Sequence, residues 1–104
     1  MDLRDIQRML FKHYKQKGFY DKWKSIYPDW AADLAELALI TSEVSEAMEE
    51  VRDNNFEGLA NELAGIVIRV LNFASRKGID LETNILSEHK RNLSRPSLHG
   101  RKNI

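Results

Sequence analysis

Apolar residues recur along the chain at steps of three and four positions, and they do not alternate with polar ones. This is the pattern of helices that bury one face. Gly18 and Gly78 are predicted to end the first and third helices, and Asn55 and Asp80 to cap the third and fourth. The long helices are predicted at about 2–17, 31–52, 56–77 and 81–93. An aromatic connection, "FYDKWKSIYPDW", leaves room for one short helical turn, so we expect an all-α fold of four to five helices.

The two central helices each carry a continuous apolar stripe that is predicted to face inward. The stripe of the second helix consists of Leu37, Ile40, Val44, Ala47, Met48 and Val51, and that of the third of Leu59, Leu63, Ile66, Val67, Val70 and Ala74. Ile68 and Leu71 lie off the third helix's stripe, so this helix is apolar around more of its circumference than one buried face requires. A second copy of the chain would cover them.

Composition narrows the class of protein. The 104 residues fit a single domain, 1–104, whose residues 94–104 form a basic tail, and a chain of this length gains stability by pairing with another copy. Sixteen basic residues balance sixteen acidic ones, so no overall field favours nucleic acid or membrane as a partner. There is no cysteine and no apolar run of about 20 residues, which favours a cytoplasmic protein without a membrane span.

Acidic residues of the central helices are candidates for a metal site. Glu43, Glu46 and Glu50 are spaced by three and four residues and share one helix face. A solvated acidic face is the simpler interpretation. However, Glu62 flanks the stripe of the next helix, and an antiparallel pair with a short loop would bring Glu43, Glu46 and Glu62 together. Oxygen ligands without Cys or His suit Mg²⁺, with Mn²⁺ as an alternative, and such ions assist chemistry at phosphoryl groups.

The residues around these acids resemble those of the MazG-like all-α nucleoside triphosphate pyrophosphohydrolases. That family carries E-x-x-E on one helix and E-x-x-D on the next, and here "EVSE" supplies the first motif while the second begins at Glu62. The segments "LALITSEVSEAMEEVR", "ELAGIVIRVLNFASRKGIDLETNI" and "HKRNLSRPSLHGRK" match the family in order and spacing. The resemblance covers most of the chain from about Gly18 onward.

The resemblance implies a role for each matching residue. Glu43, Glu46 and Glu62 would be magnesium ligands and catalytic residues, while Lys90, Asn92 and Arg95 would contact the triphosphate. A cluster of cations also suits phosphate oxygens on chemical grounds, although a frayed basic terminus is the simpler interpretation of this tail. His99 and Lys102 match the tail motif, and Lys102 is a further candidate for substrate binding. The resemblance also implies a homodimer, or a homotetramer built from two dimers.

The aromatic connection is the candidate for contact with the base. Tyr20, Trp23, Tyr27 and Trp30 would either stack on a base or pack in a core or an interface, and packing is the more common use of such residues. Among them we choose Trp23 as the substrate-binding candidate.

Gly65 departs from the family motif, because it stands where E-x-x-D has its aspartate. Asn72 also stands where relatives often carry an acid. Three interpretations follow. The chain is an enzyme in which water replaces the missing ligand; it is an impaired protein that binds nucleotide or metal; or it is a helical interaction module. The sequence does not identify the preferred base or sugar.

Overall fold

A computed structural model describes residues 1–18 and 28–95. The helices in these ranges are α1, Leu3–Gln16; α2, Asp29–Arg52; α3, Phe56–Arg76; and α4, Leu81–Leu93. No strand occurs in the two ranges. The predicted all-α fold is therefore confirmed, and α4 has the predicted bounds. The one clear difference in bounds is that α2 begins at Asp29, two residues before its predicted start, where an acidic side chain suits the positive end of the helix dipole.

The helix ends follow the capping chemistry that the sequence predicts. The side chains of Asn55 and Asp80 accept hydrogen bonds from the backbone N–H groups of Gly58 and Thr83, which would otherwise lack partners. Gly18 and Gly78 follow the ends of α1 and α3 with φ angles of 82° and 74°. Side chains disfavour this left-handed backbone, so glycine terminates both helices.

The centre of the fold is the antiparallel pair of α2 and α3, joined by residues 53–55. Helix α1 packs mainly against α3, and α4 packs against α1. The core is small, and its buried apolar residues among those described are Ala32, Ala47, Leu71 and Ala74. The prediction that Leu71 lies outside the core is wrong, since only 3% of it is exposed. It faces inward because α1 packs against this part of α3.

Much of the apolar surface of the central pair stays exposed. Leu37, Val44, Met48 and Val51 on α2, and Leu63 and Val67 on α3, were predicted to face inward but are 44–59% exposed. The helical stripes exist as predicted, but in one copy of the chain only Ala47 and Ala74 of them are fully buried, while Ile40, Leu59, Ile66 and Val70 are half-buried. We call the six exposed residues the apolar face.

A network of charged side chains joins α1, α2 and α3 at the end of the central pair away from residues 53–55. Arg76 pairs with Glu36 at 3.0 Å and with Asp33, and the Tyr14 hydroxyl donates to Glu36 at 2.7 Å. Lys77 reaches Asp33 at 2.6 Å. The side chains of Arg76 and Glu36 are only 8% and 10% exposed, so the charges compensate one another in a nearly dry setting. We call these five residues the buried ion network.

No helix within the described ranges is both long enough and apolar enough to cross a lipid bilayer.

Candidate metal and phosphate site

Three glutamates converge near the middle of the α2–α3 pair. Glu43 and Glu46 lie one turn apart on α2, and Glu62 lies on the adjacent part of α3. One carboxylate oxygen of each residue lies within 4.8 Å of the corresponding oxygens of the other two. The antiparallel geometry thus brings together the three acids that the sequence singled out. We call them the acidic cluster.

The cluster concentrates negative charge at a partly shielded place. Glu43 and Glu62 are half-buried, while Glu46 is exposed. A hydrogen bond with Glu43, partial burial and the charges of Glu46 and Glu43 together raise the pKa of Glu62. Like charges held this close disfavour the ionised form of Glu62, so the cluster favours a bound cation.

The donor set fits a magnesium-type ion. Mg²⁺ binds oxygen ligands at about 2.0–2.1 Å, so two oxygens on opposite sides of one ion lie about 4 Å apart. The three carboxylates each place one oxygen within 4.8 Å of the other two, which is close to that spacing. Carboxylate oxygens without sulfur or imidazole also disfavour zinc. Glu43, Glu46 and Glu62 are therefore the residues that would hold the ion, with water filling its other positions.

Gly65 lies three residues after Glu62 in the interior of α3. Among the described residues of one copy, a Cβ atom built on Gly65 meets no other atom within 4 Å, apart from its neighbours in the chain and the backbone of its own helix. Close helix packing therefore does not explain the glycine. The place of the missing aspartate has space for a side chain, and this face of α3 also holds Glu62.

Two further polar residues continue this face of α3. Arg69 lies one turn beyond Gly65, and its Nε atom is 3.3 Å from an Oε atom of Glu43. Arg69 is not among the site residues predicted from the sequence, although the seven-residue spacing from Glu62 places it on the same face. Asn72 follows three residues later, and its buried Oδ1 atom has no hydrogen-bond partner within residues 1–18 and 28–95. Asn72 therefore offers an acceptor to a donor from water or a ligand.

The predicted triphosphate contacts lie on or beyond α4. Lys90 and Asn92 occupy its last turns and are exposed, and Arg95, just after the helix, is half-buried with its Nη1 atom 3.4 Å from the Asn92 Oδ1 atom. Helix α4 packs against α1, and the Arg95–Asn92 hydrogen bond lies at the C-terminal end of α4. The role of Lys90, Asn92 and Arg95 stays a prediction. Trp23, Lys102 and His99 lie outside the described residues, as do Tyr20 and Tyr27, whereas Trp30 is 68% exposed at the start of α2.

A surface cavity of about 430 Å³ lies elsewhere, between α1 and the connection from α3 to α4. Arg4, Arg8, Lys12 and Lys15 line one side of it. The closest lining residue of α3 is Ser75, 13 residues beyond Glu62, which at about 1.5 Å per residue is roughly 20 Å along the helix. This cavity is therefore separate from the acidic cluster.

Comparison with protein families gives the cluster its context. The model of the MazG nucleotide pyrophosphohydrolase domain matches residues 33–96, a stretch that contains the whole acidic cluster, Arg69, Lys90 and Arg95. Searches of curated proteins and of solved structures gave no match. The family is generally dependent on divalent metal ions. Because the match covers more than half of the chain, the protein belongs to the MazG nucleotide pyrophosphohydrolase family.

Proposed function

We propose that the protein hydrolyses nucleoside or deoxynucleoside triphosphates to the monophosphate and pyrophosphate, with Mg²⁺ as the metal ion. The observation that carries the proposal is the convergence of Glu43, Glu46 and Glu62 within the stretch that matches the family. Three carboxylates held this close favour a divalent ion, and a triphosphate brings the further oxygens that such an ion binds.

In the proposed reaction, a water oxygen attacks the α-phosphorus and the bond to the oxygen that bridges to the β-phosphorus breaks. When bound, Mg²⁺ would polarise the water and the phosphate oxygens. A glutamate of α2 takes the proton that the water loses. Lys90 and Arg95 neutralise the pyrophosphate as it leaves, while Asn92 and Lys102 bind phosphate oxygens and Trp23 stacks against the base.

The proposed active form is a homodimer, or a homotetramer of two dimers. The apolar face supports this proposal, because six large apolar residues on one helix pair are half-exposed while the core of one copy holds one leucine and three alanines among the described residues. A second copy would bury this face, and each Å² of apolar area buried would stabilise the assembly by about 25 cal/mol.

The second candidate is a protein that binds nucleotide or metal with little or no turnover. Gly65 favours it, because a ligand position of the family motif lacks its carboxylate although the space for one is open. In the enzyme, water takes the place of this ligand, and metal affinity is weaker than with four carboxylates. The helical interaction module, which needs no small molecule, does not account for the convergence of the three acids.

The test is incubation of the wild-type protein with a panel of ordinary and modified nucleoside triphosphates and Mg²⁺, followed by assay of pyrophosphate. Gly65→Asp and Glu62→Gln are tested in parallel. We expect wild-type turnover, faster turnover by Gly65→Asp, and loss of turnover in Glu62→Gln.

Each other outcome selects a different function. Turnover by Gly65→Asp alone identifies the wild-type chain as the impaired binding protein. If wild type and Gly65→Asp both bind a triphosphate but neither turns it over, the protein has a binding function only. If neither protein binds any triphosphate, only the interaction module remains.

A further inference from the structure

Among the described residues, Arg69 forms an ion pair with Glu43 of the acidic cluster. Its Nε atom lies 3.3 Å from Glu43, and its side chain is 44% exposed while that of Glu43 is 22% exposed. The contact is made through Nε, and the guanidinium also carries two terminal nitrogens with N–H donors. A half-exposed guanidinium with these donors available suits a phosphate group, which it binds in a planar fork.

The charges of the site match a single divalent ion. Three ionised glutamates together with Arg69 carry a net charge of −2. A site that holds two divalent ions about 3.5–4 Å apart must compensate a charge of +4, twice that of one ion. Gly65 takes one carboxylate away from this face of α3, and Arg69, one turn further on, adds a positive charge to it.

We propose that Arg69 is a phosphate-binding residue that supplies the second positive charge of the site, so that the chain binds one divalent ion beside Arg69 and not two. A bound ion would compete with Arg69 for the Glu43 carboxylate, which would leave the Arg69 guanidinium to bind a phosphate group of the substrate. The inference rests on the proposed function for its ligand, a nucleoside triphosphate, but its test does not depend on turnover.

The test uses calorimetric titration with Mn²⁺ alone, and then with a triphosphate whose α,β-bridging oxygen is replaced by methylene. The wild-type protein should bind one Mn²⁺ per chain. Arg69→Met should bind Mn²⁺ several-fold more tightly, because Glu43 loses its competing partner. The same variant should bind the analogue in the presence of Mn²⁺ about tenfold more weakly or worse, because a charged hydrogen-bond donor is gone. Arg69→Lys should fall between.

A double variant tests the number of ions. Gly65→Asp combined with Arg69→Met restores the carboxylate and removes the cation, and it should bind two Mn²⁺ per chain. Arg52→Met is the matched control, because Arg52 also pairs with a glutamate of α2, Glu49, and is 64% exposed. It should leave both affinities unchanged. Circular dichroism melting establishes that each variant is folded.

Two results overturn the inference. One is a wild-type chain that binds two Mn²⁺ ions. The other is a folded Arg69→Met variant that binds Mn²⁺ more weakly than wild type, or that binds the analogue as tightly as wild type does. Weaker binding of Mn²⁺ would mark a structural role for Arg69. Pyrophosphate release is measured separately. Absence of release with the expected binding results contradicts the proposed reaction and leaves the role of Arg69 intact.

Discussion

At the scale of single residues, Gly65 is the position where helix stability and function conflict. Glycine in a helix interior is disfavoured by roughly 1 kcal/mol relative to alanine. Packing among the described residues of one copy does not require it, since a Cβ atom there would meet none of their atoms within 4 Å outside its own helix backbone and chain neighbours. The glycine therefore leaves an open place beside the acidic cluster at the expense of helix stability.

Gly65→Ala should raise the free energy of unfolding by about 0.5–1 kcal/mol, because alanine loses less backbone entropy and meets no clash. Urea denaturation followed by circular dichroism measures the change. Gly78→Ala is the matched control and should destabilise the protein, because Gly78 has a φ of 74°. Destabilisation by Gly65→Ala would mean that a side chain at this position meets an obstacle.

Glu62→Gln should stabilise the metal-free protein at neutral pH. Glu43, partial burial and Glu46 raise the pKa of Glu62 in the folded state above its ordinary value of 4.5. The unfolded chain therefore ionises first as pH rises, and the folded state loses stability between the ordinary and the raised pKa. Above the raised pKa the full penalty is present, and below 4.5 it vanishes.

The measurement is thermal melting of wild type and Glu62→Gln between pH 3.5 and 8 in the presence of a chelator. The difference in stability should be largest at neutral pH and disappear at the acidic end. Glu88→Gln, an exposed residue paired with Arg91 on α4, should show no such trend. A difference between wild type and Glu62→Gln that does not change with pH would contradict the electrostatic explanation.

The sequence could predict the three acids but not the arginine. Glu43, Glu46 and Glu62 follow from helical spacing and a short loop, because both are local properties of the chain. Arg69 has several acidic residues within reach in the sequence pattern. Which of them it pairs with depends on the distance and the register between α2 and α3. The spacing of residues along the sequence does not specify either.

At the scale of the elements, the helix bounds were largely predictable because capping is local chemistry. Asn55, Asp80, Gly18 and Gly78 act as the sequence indicates. The burial of each stripe was less predictable, because burial depends on which helix covers it. Leu71 is covered by the packing of α1, whereas Val67, one turn earlier on α3, is 52% exposed.

The buried ion network should hold the helices together, so Arg76→Met should lower the free energy of unfolding by about 3 kcal/mol. The change leaves Glu36 and Asp33 charged and without their main partner, and Glu36 is only 8% exposed. Urea denaturation measures it. Lys77→Met removes a partly exposed partner of Asp33 and should lower stability by less than about 1 kcal/mol. Equal effects of the two variants would show that burial does not govern the network.

At the scale of the whole molecule, the apolar face is the proposed site of assembly. Light scattering coupled to size exclusion should give a mass of two or four chains for wild type. Val67→Glu should shift the mass toward one chain, because it introduces a charge on the apolar face. Leu86→Glu is the control: Leu86 is 63% exposed on α4, outside that face, and its substitution should leave the mass unchanged. A wild-type mass of one chain would contradict the proposed assembly.

The proposed reaction releases pyrophosphate from a nucleoside triphosphate, and ³¹P nuclear magnetic resonance of its products tests it most directly. The wild-type protein is incubated with a nucleoside triphosphate and Mg²⁺, with Glu62→Gln as the matched control. The account predicts signals of the nucleoside monophosphate and pyrophosphate in equal amounts, lost in the control and on chelation of the metal. Formation of a nucleoside diphosphate and inorganic phosphate, or a triphosphate left unchanged across the panel, would contradict it.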